Sequence, residues 1–273
     1  MTGEITSPST SAIAGRSADP HGDIAPARSA GAEWGALATF LKRPSLPQAI
    51  APMPVGAKGT LRILALDLMI IAAIIIVLMS VVAFGIELPE NLNSTLEMNL
   101  TTAFLIVVLA PVLEEIVFRS WLSGRPAILS ALAILVAGLV LGPLVAGIFF
   151  PPTEGGLGLG ATLTILVGLL IAVVGAITAA IMLRGRPAPS WFAALFPAFF
   201  WLSCVAFALI HLLNYTEGTL AILLPLLIPQ FILGTLAAYV RVHYGLIFAI
   251  ALHAAHNGFA LGVAALAMQA GAA

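Results

Sequence analysis

The sequence predicts an all-α fold, a polytopic membrane helical bundle of about seven transmembrane spans. Three observations carry that prediction. Of 273 residues, 61% are hydrophobic and only 8% are charged, against about 45–50% apolar and about 25% charged in soluble domains. Seven segments, near 61–86, 100–123, 127–150, 158–183, 191–213, 219–239 and 245–268, meet the requirement of about 20 apolar residues for a span. The polar connectors between them divide the charges by sign.

Taken in order, residues 1–33 hold no apolar run long enough for a secretory signal and are rich in Ser, Ala, Pro and Gly, which predicts a disordered cytoplasmic tail. Residues 34–60 read as an interfacial or linker segment, because Pro44, Pro47, Pro52 and Pro54 interrupt any long helix. The membrane domain occupies 61–273. Lys42, Arg43, Lys58 and Arg62 precede or open the first span, and Arg125, Arg184, Arg186 and Arg241 fall in the second, fourth and sixth connectors. Glu87, Glu90, Glu97, Glu154 and Glu217 occupy the first, third and fifth connectors, which lack Lys and Arg. The positive-inside rule then places the N-terminus in the cytoplasm and the C-terminus outside, in a multi-pass protein of the cell inner (plasma) membrane. Arg outnumbers Lys nine to two, a composition that suits a GC-rich bacterial genome. The net charge of −1 supplies no basic stripe and argues against a nucleic-acid partner. A single cysteine, Cys204, forbids an internal disulfide and reads as a small buried residue.

Ionisable groups inside spans are costly, so function is best sought there. The second span carries Glu114, Glu115 and Arg119. Two carboxylates cost about 5–7 kcal/mol to insert, and the span's twelve Leu, Ile, Val and Phe residues offset roughly 4–7 kcal/mol. The terms nearly cancel, which predicts that these groups face a protein-lined, wet interior. Glu115 and Arg119 stand at i,i+4 in the favourable order for an ion pair. Glu114 has no such partner and is left free for chemistry; the alternative is one charge cluster that fixes helix packing. Asp67, close to the start of the first span, reads as an interfacial or packing residue. The fifth span ends with His211, four residues after Phe207. The seventh carries His253 and Asn257 on one face, with His256 to the side. His and Asn so spaced can aim two N–H donors at one oxygen, or can hydrogen-bond between helices. Glu114 lies eleven residues from Arg125 and His253 twelve from Arg241, so both sit some 16–18 Å deep at about 1.5 Å per residue. His211 matches that depth only if its helix begins after Pro197.

Read together, Glu114-Glu115-Ile116-Val117-Phe118-Arg119, Phe207-Ala208-Leu209-Ile210-His211 and His253-Ala254-Ala255-His256-Asn257 resemble the EExxxR, FxxxH and HxxxN motifs of the CAAX-protease and bacteriocin-processing (CPBP, or Abi) family of intramembrane proteases. The resemblance covers roughly residues 100–125 and 195–260; the hairpin 127–183 reads as an insertion that preserves the orientation of the later spans. It implies a metal-independent glutamate protease without a cofactor, acting on a peptide or protein substrate at the membrane. Glu114 would be the general base, with His211 sharing its water. His253 and Asn257 would stabilise the oxyanion, and Glu115, Arg119 and Phe207 would support them. A zinc peptidase is the nearest rival, although HExxH is absent. A transporter is another, although the sequence shows no inverted repeat or interrupted helix pair. A protease-like regulator without activity is the third.

Overall fold

A computed structural model describes residues 27–47, 49–92, 96–151 and 156–271, with side chains to 267. Residues 1–26 of the expected tail, and Glu154, lie outside the described residues. Among the described residues the chain is helical, with one isolated bridge between Asn91 and Tyr215.

Helix α1 (Ala30–Lys42) is followed by the long α2 (Met53–Ala83). The second span is built from α3 (Leu100–Phe104), a π turn (Leu105–Leu109), α4 (Ala110–Arg119) and a 3₁₀ turn (Ser120–Ser123). Then come α5 (Pro126–Phe149), α6 (Leu159–Met182) and α7 (Ser190–Ile210), the last ending in a 3₁₀ turn (His211–Asn214). Helices α8 (Leu220–Leu226) and α9 (Ile228–Tyr244) occupy the segment expected as the sixth span, and α10 (Leu246–Gly271) the one expected as the seventh. Six helices are long and apolar enough to cross a membrane, and α8 with α9, bent by 42°, is either a seventh, broken span or a re-entrant loop. This is a multi-pass membrane protein. Large apolar side chains cover its outer faces, among them Ile76, Leu139, Leu144 and Leu170, as a lipid-facing surface requires.

Several expectations are revised. Helix α1 runs across the boundary drawn at residue 33. Ser29 caps it by accepting from the Ala32 amide, and Glu33 on its first turn is fully buried. The Tyr239 and Tyr244 hydroxyls donate to Glu33 Oε1 at 2.8 and 2.5 Å. Trp34 Nε1 donates to the Arg62 carbonyl at 2.8 Å, so α1 is docked on α2 and α9. Helix α2 begins at Met53, inside the expected linker. Pro54 lies in its first turn, where the missing N–H would have no partner in any case. Pro197 does not start a helix either, because α7 continues through it. The expected sixth span is interrupted where the sequence showed no break; Pro225 and Pro229 flank the bend at Leu227.

Helix α9 is the centre of the bundle. Its residues are buried almost continuously from Leu233 to Val242, and α2, α7 and α10 pack round it. One face of α7 presents Phe192, Phe196, Phe200, Cys204 and Phe207, each 1% exposed or less. Spacings of three and four residues put these side chains in a single stripe against α9. Helices α5 and α6 pack chiefly on each other, through small residues that allow close approach. A Cβ added at Gly138 would collide with that of Ala172.

Candidate active site

The second span delivers its acids through an irregular backbone. Pro111 has no N–H, so the α-helical ladder fails there. The Ala110 amide donates back to Leu105, five residues away, and the turn widens to π. The Ile106 carbonyl then has no amide to receive: Ala110 is engaged, and Pro111 has none to give. Asn257 Nδ2 donates to that carbonyl at 2.9 Å. The bond ties α10 to the π turn, upstream of Glu114 on the same span.

The end of α4 also needs partners, because the helix tightens to 3₁₀ after Arg119 and its last carbonyls are orphaned. Ser203 Oγ donates to the Phe118 carbonyl at 2.6 Å. Arg241 Nε and Nη2 donate to the Arg119 and Ser120 carbonyls, each at 3.1 Å. Arg241, expected in a connector, is a buried capping group at the end of α9.

Between these anchors the ionisable groups assemble. Glu115 and Arg119 form the expected pair at 3.0 Å, both fully buried. Glu115 Oε1 also accepts from His253 Nδ1 at 2.9 Å. The same histidine turns Nε2 toward Glu114 Oε2, 3.7 Å away. Glu114 is about 30% exposed while His253 is 2% exposed, so the free acid borders the interior rather than sealing it. Glu114 Oε2 has no hydrogen-bond partner among the described residues.

Phe207 links the remaining members. Its ring lies 3.7 Å beneath the Arg119 guanidinium carbon, a cation–π contact in a desolvated setting. It also meets His211 and His253 edge-on, with centroids at 4.8 and 5.5 Å. His211 Nδ1 bonds the Phe207 carbonyl at 2.7 Å. His211 thus reaches the cluster from the end of an unbroken α7. Gly234 of α9 makes the space: a Cβ there would stand 2.9 Å from Phe207 and 3.1 Å from Arg119 Nη2. Among the described residues no group of three His, Cys, Asp or Glu side chains is arranged to hold a metal ion.

A family model described as Type II CAAX prenyl endopeptidase Rce1-like matches residues 160–259. Over that segment the chain is similar to this branch of the CPBP family. No curated protein and no solved structure matches the chain. The CPBP match takes in Phe207, His211, His253 and Asn257 and leaves Glu114, Glu115 and Arg119 outside. The structure joins the two parts, since His253 within the matched segment bonds Glu115 outside it.

Around this site Asp67 has the packing role expected of it, and two further residues have roles that the sequence did not show. Asp67 is 2% exposed, and its carboxylate accepts from His256 Nδ1 at 2.7 Å, locking α2 to α10 beside His253. The remaining two are Arg241 and Gly234. A mid-span proline followed by two acids was the available signal for an irregular helix; nothing in the local sequence marked Gly234 out from the other glycines.

Proposed function

We propose that the chain is an intramembrane endopeptidase in which Glu114 activates the attacking water. The observation that carries this reading is the approach of Glu114 Oε2 to His253 Nε2 at 3.7 Å. That gap is longer than a hydrogen bond, and a water seated against both atoms would touch base and imidazole together. Glu115 holds the His253 ring by Nδ1, which leaves Nε2 as the working nitrogen. Glu114 takes the water's proton as oxygen attacks the scissile carbonyl, and returns it to the leaving amine. Asn257 Nδ2 has a second hydrogen beyond the one engaged by Ile106, and this is the donor offered to the oxyanion. His211, tied through Nδ1, offers Nε2 to the same water or the substrate.

The family description names a prenyl endopeptidase of the CAAX type, which makes a prenylated C-terminal peptide the substrate to try first. Purified protein should cleave a farnesylated CAAX peptide with and without a strong chelator. An activity that disappears with the chelator and returns on adding zinc would replace the glutamate mechanism with a metal-bound water.

A further inference from the structure

A cavity of about 660 Å³ opens where α5, α7 and α10 begin. Its size falls within the range of about 300–1,000 Å³ typical of ligand pockets. None of Glu114, His211, His253 and Asn257 lines it. Arg125, Arg186 and Arg241 do, and no acidic residue does. Arg241 is 8% exposed; its Nε and Nη2 are engaged by main-chain carbonyls, and Nη1 has no partner among the described residues. Arg125 and Arg186 are exposed, and their side chains make no hydrogen bond or ion pair among the described residues. Ile128, Ala193 and Leu246 bring the first turns of α5, α7 and α10 to the cavity wall. Each helix start adds positive potential.

The preference of arginine for one side of a membrane accounts for Arg125 and Arg186 taken singly. It does not account for a third guanidinium withdrawn from solvent into the same cavity, beside three helix starts and without one acid. We propose that this cavity binds a phosphate group, with the guanidinium forks of Arg125 and Arg186 closing on it over the fixed Arg241. Arginine forks match phosphate oxygens in pairs, and basic pockets between membrane helices take anionic headgroups. An anionic phospholipid and free phosphate share this chemistry. Because Arg241 holds the last carbonyls of the helix that carries Glu114 and Glu115, the occupant also braces that helix.

The test uses the full chain in neutral detergent, read by native mass spectrometry and thermal unfolding. Phosphatidylglycerol should be retained at one equivalent and raise the melting temperature, whereas phosphatidylcholine should do neither. The double variant R125Q/R186Q should weaken retention by about tenfold or more, and Arg184→Gln, a neighbouring arginine outside the cavity, should leave it unchanged. A shift with inorganic phosphate alone, abolished in the double variant, would assign the site to free phosphate and uphold the chemistry. Phosphatidylglycerol retained equally by the double variant, lost equally in Arg184→Gln, or matched by an inert response to both probes, would overturn the proposal.

Discussion

Arg119 sits where no polar group should without a reason: fully buried, one carboxylate beside it and an aromatic face below. Its Nη1 is near Glu115, yet none of its guanidinium nitrogens completes a well-directed hydrogen bond among the described residues. Charge and the Phe207 ring therefore hold it. Removing it strands Glu115 and His253, and losing one partner of a buried pair costs roughly 3–5 kcal/mol. Arg119→Ala should melt well below wild type in detergent, whereas Glu114→Ala, which removes a part-exposed side chain, should not. Equal melting of Arg119→Ala and wild type would show that no such pair exists. Gly234 tests the same packing from the other side. Gly234→Ala places a methyl against Phe207 and Arg119, and overpacking of this kind costs about 1–3 kcal/mol. Lower thermal stability together with reduced cleavage is expected; a neutral result would mean that the ring yields freely. The pairing of Glu115 with Arg119 and the freedom of Glu114 were legible from i,i+4 spacing alone. Gly234 and the Asp67–His256 bond were not, since each depends on contacts between distant helices.

At the scale of elements, the π turn of the second span is the device that joins α10 to the acids. Pro111 breaks the ladder, Ile106 loses its donor, and Asn257 replaces it. Pro111→Ala restores an amide and lets the turn relax toward a regular helix, rotating Glu114 relative to His253. Cleavage should fall at least several-fold while far-UV circular dichroism stays unchanged; unaltered turnover would separate the π turn from function. The spans themselves were readable within a few residues, because bilayer thickness dictates their length. Two of the errors share a cause. Proline counts as a breaker at 54 and 197 on sequence alone, yet its effect depends on position: a first turn tolerates it, and a long packed helix such as α7 absorbs it. Helix α1 is hidden in the sequence because its stability comes from docking Glu33, Trp34 and Leu37 onto the bundle rather than from its own short sequence.

For the whole molecule, a seven-span reading would put the two ends of the chain on opposite sides. Reporter fusions at Gly156 and Gly185 should report opposite faces, with Gly185 cytoplasmic; both on one side would break the seven-span account. Helices α5 and α6 form a hairpin apart from the central α2, α7, α9 and α10, and α4 reaches that centre through α7 and α10. The motifs converge although that hairpin separates them along the chain, because packing round α9 brings α4, α7 and α10 together whatever length of sequence lies between them. The most direct measurement is cleavage of a farnesylated CAAX peptide by Glu114→Gln, beside a thermal melt of the same preparation. The substitution keeps the side chain's size and removes the lone pair that would take the water's proton, a contribution of roughly 10²–10⁴-fold. The account predicts a loss of that order with a wild-type melting temperature. Cleavage within a few-fold of wild type would contradict it.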